Sequence, residues 1–162
     1  MKHFSISECT RSETATAKDI DNTPGVEHLA HIVEAVETLL DPLREVWADC
    51  CLDAGLGTPG IRISSGYRGT ALNAAVGGST TSAHCHGYAF DLIPLNGKMT
   101  EFKSFCREFL ANPAHPFDQL ISEGENEAGL PSWMHVGYKS PRGEQRRQFL
   151  SMRDGKYYPM TQ

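Results

Sequence analysis

Two short stretches of the chain place groups that water normally solvates among residues that normally avoid it. One is Ser82-Ala83-His84-Cys85-His86-Gly87-Tyr88-Ala89-Phe90-Asp91, and the other is Trp133-Met134-His135-Val136-Gly137. From Tyr88 to Ile93 the pattern predicts a strand, with Ala89, Asp91 and Ile93 on one face and Tyr88, Phe90 and Leu92 on the other. Trp133, His135 and Gly137 share one face of a second strand, predicted from Trp133 to Tyr138. A charge inside an apolar strand is costly unless it is paired or binds a metal. If the two strands are neighbours, Asp91 and His135 stand opposite each other with Cβ atoms roughly 5 Å apart. That separation lets both reach one ion at about 2.0–2.2 Å each. A histidine from the turn at Gly87 completes three ligands with one position open, the pattern of a catalytic rather than a structural metal site. His84 and His86 both qualify, and spacing alone does not separate them.

The rest of the chain sets helices around short strands. Residues 1 to 22 are polar and weakly periodic and read as a segment wrapping the surface. Thr23-Pro24 predicts a helix start, with Thr as cap and Pro at the first helical position. Val26, Leu29, Val33, Val36, Leu40, Leu43 and Trp47 follow at helical spacing, and Pro42 predicts a kink or two consecutive helices. Ile61 to Ser65 alternates as a strand. Thr100 to Ala111 predicts a helix burying Phe102, Phe105, Cys106, Phe109 and Leu110. Phe117 to Ser122 predicts a strand that an acidic, glycine-containing loop joins to the Trp133 strand. No βαβ alternation is sustained, so the expected class is α+β, a small and mainly antiparallel sheet with flanking helices. The tail after Ser140 leaves a turn and a strand equally open. No repeat or linker interrupts the sequence, and residues 1–162 are read as one domain.

Charge and composition narrow the partners. A net charge of -5 argues against nucleic acid, which needs clustered Lys and Arg. No apolar run approaches the roughly 20 residues of a membrane span, and the first residues lack the apolar run of a signal peptide. Five cysteines at 9, 50, 51, 85 and 106 form no CxxC pair, and they are expected to be free thiols.

With these residues in place, the chain resembles the zinc D-alanyl-D-alanine carboxypeptidases, a family that includes phage L-alanyl-D-glutamate endolysins and shares its fold with the hedgehog signalling domain. The family pattern S-x-H-x-x-G-x-A-x-D is matched by Ser82, His84, Gly87, Ala89 and Asp91, and the later W-x-H by Trp133-Met134-His135. Ser65-Gly66-Tyr67-Arg68 matches the family's S-G-Y-R segment, followed by Asn73 and Gly77-Gly78-Ser79. The resemblance runs from about residue 4 to residue 138. It implies that His84, rather than His86, joins Asp91 and His135 in holding one Zn2+ per chain. Arg68 would contact a substrate carbonyl or carboxylate through paired donors. Ser82 would support the first ligand or the substrate, and Trp133 would line the substrate site. The implied reaction is hydrolysis of peptidoglycan stem-peptide amides, of the D-Ala-D-Ala or L-Ala-D-Glu type. The implied setting is a monomer in the cytoplasm, or one released to the cell wall by phage lysis.

The chain departs from part of that family. Many members carry Asp or Glu three residues before the last zinc histidine, where this chain has Ser132. The general base must come from elsewhere, and Glu123, at the end of the preceding strand, occupies a place similar to the catalytic glutamate of the hedgehog-like branch. Glu125 and Glu127 stand in reserve in the loop, where solvation is their ordinary role. The missing acid at 132 also supports a second expectation, a non-catalytic zinc module that binds wall peptide or a protein partner.

Overall fold

Alternation decides the sheet. In strand β1, Ile61–Ser65, the isoleucines 61 and 63 are buried while Arg62 and Ser64 are exposed. Strands β2 (Ala89–Pro94), β3 (Gln119–Glu123) and β4 (Trp133–Gly137) follow the same period with both faces covered. Their even-numbered residues, Phe90, Leu92, Leu120, Met134 and Val136, enter the hydrophobic core. Their odd-numbered residues Asp91, Ile121, Glu123, Trp133 and His135 line a cavity on the opposite face. One face of the sheet thus holds the fold together and the other is left for chemistry.

The structure, a computed structural model, describes residues 1–161. Two further strands, β5 (Gln148–Arg153) and β6 (Lys156–Pro159), extend the sheet to six in the order β1-β2-β4-β3-β5-β6. The β1–β2, β2–β4, β3–β4 and β5–β6 pairings are antiparallel, and β3–β5 is parallel. The fold is α+β, as the interruption of short strands by helices predicts. The last hairpin, which the sequence left open, turns at Asp154 and Gly155, both with positive φ, the backbone of a tight two-residue turn.

Helices cover the core face. α3 (Val26–Ala35) and α4 (Asp41–Ala54) contribute Ile32, Ala35, Leu43, Trp47 and Cys51, and α6 (Met99–Ala111) contributes Phe102, Phe105, Cys106, Phe109 and Leu110. The helix starts at Val26 behind Gly25 rather than at Pro24. Between α3 and α4 the chain makes a π-helical turn, Val36–Leu40, in which the Asp41 N–H reaches back five residues to the Val36 carbonyl. The break lies one turn before Pro42, whose ring sits in the first turn of α4, where a missing N–H costs least. α5 (Thr70–Ala75) is a single short helix after β1.

The first 22 residues do more than wrap the surface. They form α1 (Ile6–Thr10) and α2 (Glu13–Ala17), and Phe4, Cys9 and Ala15 are buried. Ser5 and Glu8 make a reciprocal capping box at the start of α1, which lets five residues hold a helical turn. Buried Asp41 accepts hydrogen bonds from the backbone of Lys2 and His3 at 2.7 and 3.0 Å, fixing the amino end to α4. Asn22 ties the segment to the site region. Its amide nitrogen donates to the carbonyls of Thr10 and Tyr67, and its oxygen accepts from the Gly69 N–H.

Candidate metal centre

Antiparallel pairing sets Asp91 directly opposite His135, and His135 opposite Ile121 on β3. His84 comes from a 3-10 turn, Ala83–His86, that leads into β2. Gly87 ends that turn with φ +77, and a Cβ there would meet the His28 carbonyl at 2.8 Å and Ile32 at 2.9 Å. Only glycine fits both the left-handed backbone and the space. His84, Asp91 and His135 are each less than a tenth exposed, and one ligand atom from each lies within 4.8 Å of the others.

The second bond of the His84 imidazole decides which of its nitrogens faces inward. His84 Nδ1 donates to the Gly66 carbonyl at 2.8 Å. A carbonyl only accepts, so Nδ1 carries the proton and the Nε2 lone pair faces Asp91 Oδ1 at 3.4 Å. Burial holds the His84 pKa below its ordinary value, outweighing the pull of Asp91. A neutral imidazole lone pair then confronts a carboxylate oxygen, acceptor against acceptor, and a cation between them relieves the contact. His135 Nδ1 lies 3.1 Å from the same Asp91 oxygen. Two ligand atoms each about 2.0–2.1 Å from a tetrahedral ion lie about 3.3 Å apart, close to both separations. Burial pushes the Asp91 carboxyl up, but the two imidazoles outweigh it and hold the group well below the usual carboxylate range. For His135, burial lowers the pKa and the Asp91 hydrogen bond and charge raise it, with a net rise. The three side chains fit a divalent cation with N, N and O donors.

The remaining sequence-predicted residues line the same cavity, of about 670 Å³. Glu123 Oε1 lies 3.6 Å from His135 Nδ1. Burial raises its pKa, His135 opposes, and Asp91 adds to the rise. Arg68 donates from Nη2 to Ser82 Oγ at 3.2 Å, while its Nε is buried with no partner among the described residues. Ser82 Oγ also accepts from the His84 N–H at 3.3 Å, so one hydroxyl links the guanidinium to the turn. Trp133 Nε1 is near the Glu123 carboxylate without meeting hydrogen-bond geometry, and it is a buried donor without a partner among the described residues.

His84 rather than His86 joins the cluster, as the resemblance implies: His86 is half-buried, its ring stands 5.8 Å from that of His28, and it does not line the cavity of Asp91. One expectation changes. Glu125 is not a solvated loop residue, because its side chain is 4% exposed and bound by Lys103 Nζ at 2.7 Å. All five cysteines are free. The sequence reading missed the carboxyl-terminal wall of the cavity, which includes Arg146, Leu150, Met152 and Tyr157. Arg146 is held by Asp118 in a two-pronged pair at 2.8 and 2.7 Å. The Asp154-Gly155 dipeptide between two alternating runs was the signal for the hairpin that carries this wall.

Among the described residues no helix is long and apolar enough to cross a membrane. No curated protein matches the chain. The sequence does match the family described as Peptidase M15 over residues 2–114, a span holding the Ser65-Gly66-Tyr67-Arg68 segment, His84 and Asp91. That match covers well over half of the chain and includes two members of the buried cluster, so the chain belongs to the peptidase M15 family.

Proposed function

We propose that the chain is a zinc-dependent peptidase that hydrolyses amide bonds of peptidoglycan stem peptides, of the D-Ala-D-Ala or L-Ala-D-Glu type. The observation that carries this reading is the convergence of His84 Nε2, His135 Nδ1 and Asp91 Oδ1, with Glu123 beside them in one cavity. His84, Asp91 and His135 would hold one zinc ion, which supplies a Lewis acid that polarises a carbonyl and makes water nucleophilic near neutral pH. Glu123 takes the proton of the attacking water and delivers it to the leaving amine. Its raised pKa suits that transfer, since a carboxylate whose pKa lies nearer the working pH is the stronger base toward the water's proton. Arg68 orients the substrate through its free Nε and its remaining guanidinium donors. Trp133, which lines the cavity, lends its ring to the peptide. Residues 1–162 act as one catalytic domain, as a monomer, on peptide reached in the cytoplasm or after lysis.

The test is Glu123→Gln, measured for zinc content and for cleavage of a synthetic stem pentapeptide. The expected result is zinc unchanged and a cleavage rate lower by roughly 10²–10⁴-fold. Wild-type protein that carries zinc and binds the peptide without cleaving it would instead establish a non-catalytic module.

A further inference from the structure

Past Arg68 the site cavity meets a second one, of about 480 Å³, enclosed by the start of α2, β1 and α5. Arg68 and Val76 line both, so the guanidinium stands at the junction. Two more arginines line the second cavity, Arg11 from the link between α1 and α2 and Arg62 from the solvent side of β1. Among the described residues neither side chain makes an ion pair, whereas Arg146 is fully engaged by Asp118. The one acidic residue in the lining is Glu13. Three arginines thus line a recess whose own lining holds one carboxylate, in a chain whose net charge is -5. Guanidiniums without an ion pair around a recess make its potential positive and favour an entering anion.

We infer that this second cavity is a binding site for carboxylates of the peptide substrate, held by Arg11 and Arg62 on the far side of Arg68 from the metal cluster. Guanidinium forks match carboxylates with two parallel hydrogen bonds. The site makes the chain selective for acidic peptides over neutral ones of the same length. The choice of stem peptide as ligand rests on the function proposed above, but the recognition chemistry, guanidinium with carboxylate, does not.

The experiment measures binding in a Glu123→Gln background, so that the peptide survives. Fluorescence anisotropy compares labelled Ala-γ-D-Glu-Lys-D-Ala-D-Ala with the same peptide carrying amides in place of its carboxylates. The acidic form should bind about tenfold or more tightly than the amide form. Adding Arg11→Gln and Arg62→Gln together should shrink that preference without altering zinc content or thermal midpoint, because both residues are exposed and make no ion pair among the described residues. Equal binding of the two forms, no binding of either, or an undiminished preference in the double variant overturns the proposal. Cleavage by the parent chain is read separately. A preference lost in the double variant without any cleavage keeps this site and sinks the peptidase reading, and cleavage without a preference does the reverse.

Discussion

Two clusters of three side chains sit on either side of the Gly87 turn, and they differ in what they can hold. His84, His135 and Asp91 are buried, with two imidazole nitrogens 3.4 and 3.1 Å from one carboxylate oxygen. His28, His31 and His86 are half-buried, and the His28 ring stands 6.0 and 5.8 Å from the other two. In the second cluster the inward-facing nitrogens are spent locally. His28 Nδ1 meets the Tyr67 hydroxyl at 3.2 Å, and His31 Nδ1 donates to the His86 carbonyl at 2.7 Å while its ring stacks on Tyr88. Burial, then the neighbouring imidazoles, hold the His86 pKa below its ordinary value against the pull of Glu27, and among the described residues these three do not form a group that could hold a metal ion. Imidazole density therefore does not make a metal site. A buried carboxylate between two rings, one of them anchored through its other nitrogen to the Gly66 carbonyl, does.

The largest effect should come from exchanging the two clusters as mutation targets. His135→Ala should take bound zinc from about one per chain to none and abolish cleavage, while His86→Ala keeps the metal. Elemental analysis of both variants decides, and zinc lost from His86→Ala would erase the contrast. Next comes metal removal. A chelator should lower the thermal midpoint of the wild-type chain, because a ligand at about 1,000 times its dissociation constant stabilises by about 4 kcal/mol. The same chelator should leave His135→Ala unmoved, and a matching fall there would mean that the ion is held elsewhere.

Glu123, the last residue of β3, and Glu125 just beyond it repeat the contrast on a smaller scale. Burial raises Glu123, whereas at Glu125 burial is outweighed by hydrogen bonds from Lys103 and Ser151, leaving its pKa lowered. A lowered carboxyl contributes stability that is present above its unfolded value, near about 4.3, and lost as pH falls through the folded value. Glu125→Gln should therefore reduce the urea midpoint at pH 7 and leave less further loss between pH 5 and pH 3 than the wild type shows. Equal acid sensitivity would mean that the Lys103 pair contributes nothing. The smallest effect should be His31→Ala, which removes one stacked ring and one hydrogen bond and costs about 1–2 kcal/mol with zinc retained. Urea denaturation reads it directly, and loss of metal would tie the second cluster to the first.

The site strands were legible because a period of two ties every side chain to a face, so Asp91 and His135 announce themselves as polar positions in apolar runs. Pairing partners were only a condition of that reading; the structure supplies them, and the Glu123 end of β3 falls beside Trp133 in the register. The choice between His84 and His86 was not legible from spacing, because it depends on the Gly66 carbonyl, 18 residues away in sequence. The amino-terminal helices were missed because five-residue helices carry too little periodicity, and only the Ser5-Ile6-Ser7-Glu8 capping box marks one. The π turn stood hidden behind Pro42, since the proline predicts a disruption but not which turn absorbs it. The carboxyl-terminal wall escaped because β5 joins β3 in parallel, and a long-range parallel pair leaves no local mark beyond its hairpin.

Cys9 has a consequence that reaches the metal cluster. Its carbonyl accepts the Tyr67 N–H at 2.7 Å and fills the space where a Cβ on Gly66 would lie. The Gly66 carbonyl in turn holds His84. The first helix thus works as a doorstop: it keeps one peptide unit from swinging, and that unit keeps one imidazole aimed. Proteolysis or a truncation that removes residues 1–10 should loosen zinc before it unfolds the sheet, so a trimmed chain fails first as a leaky metal holder.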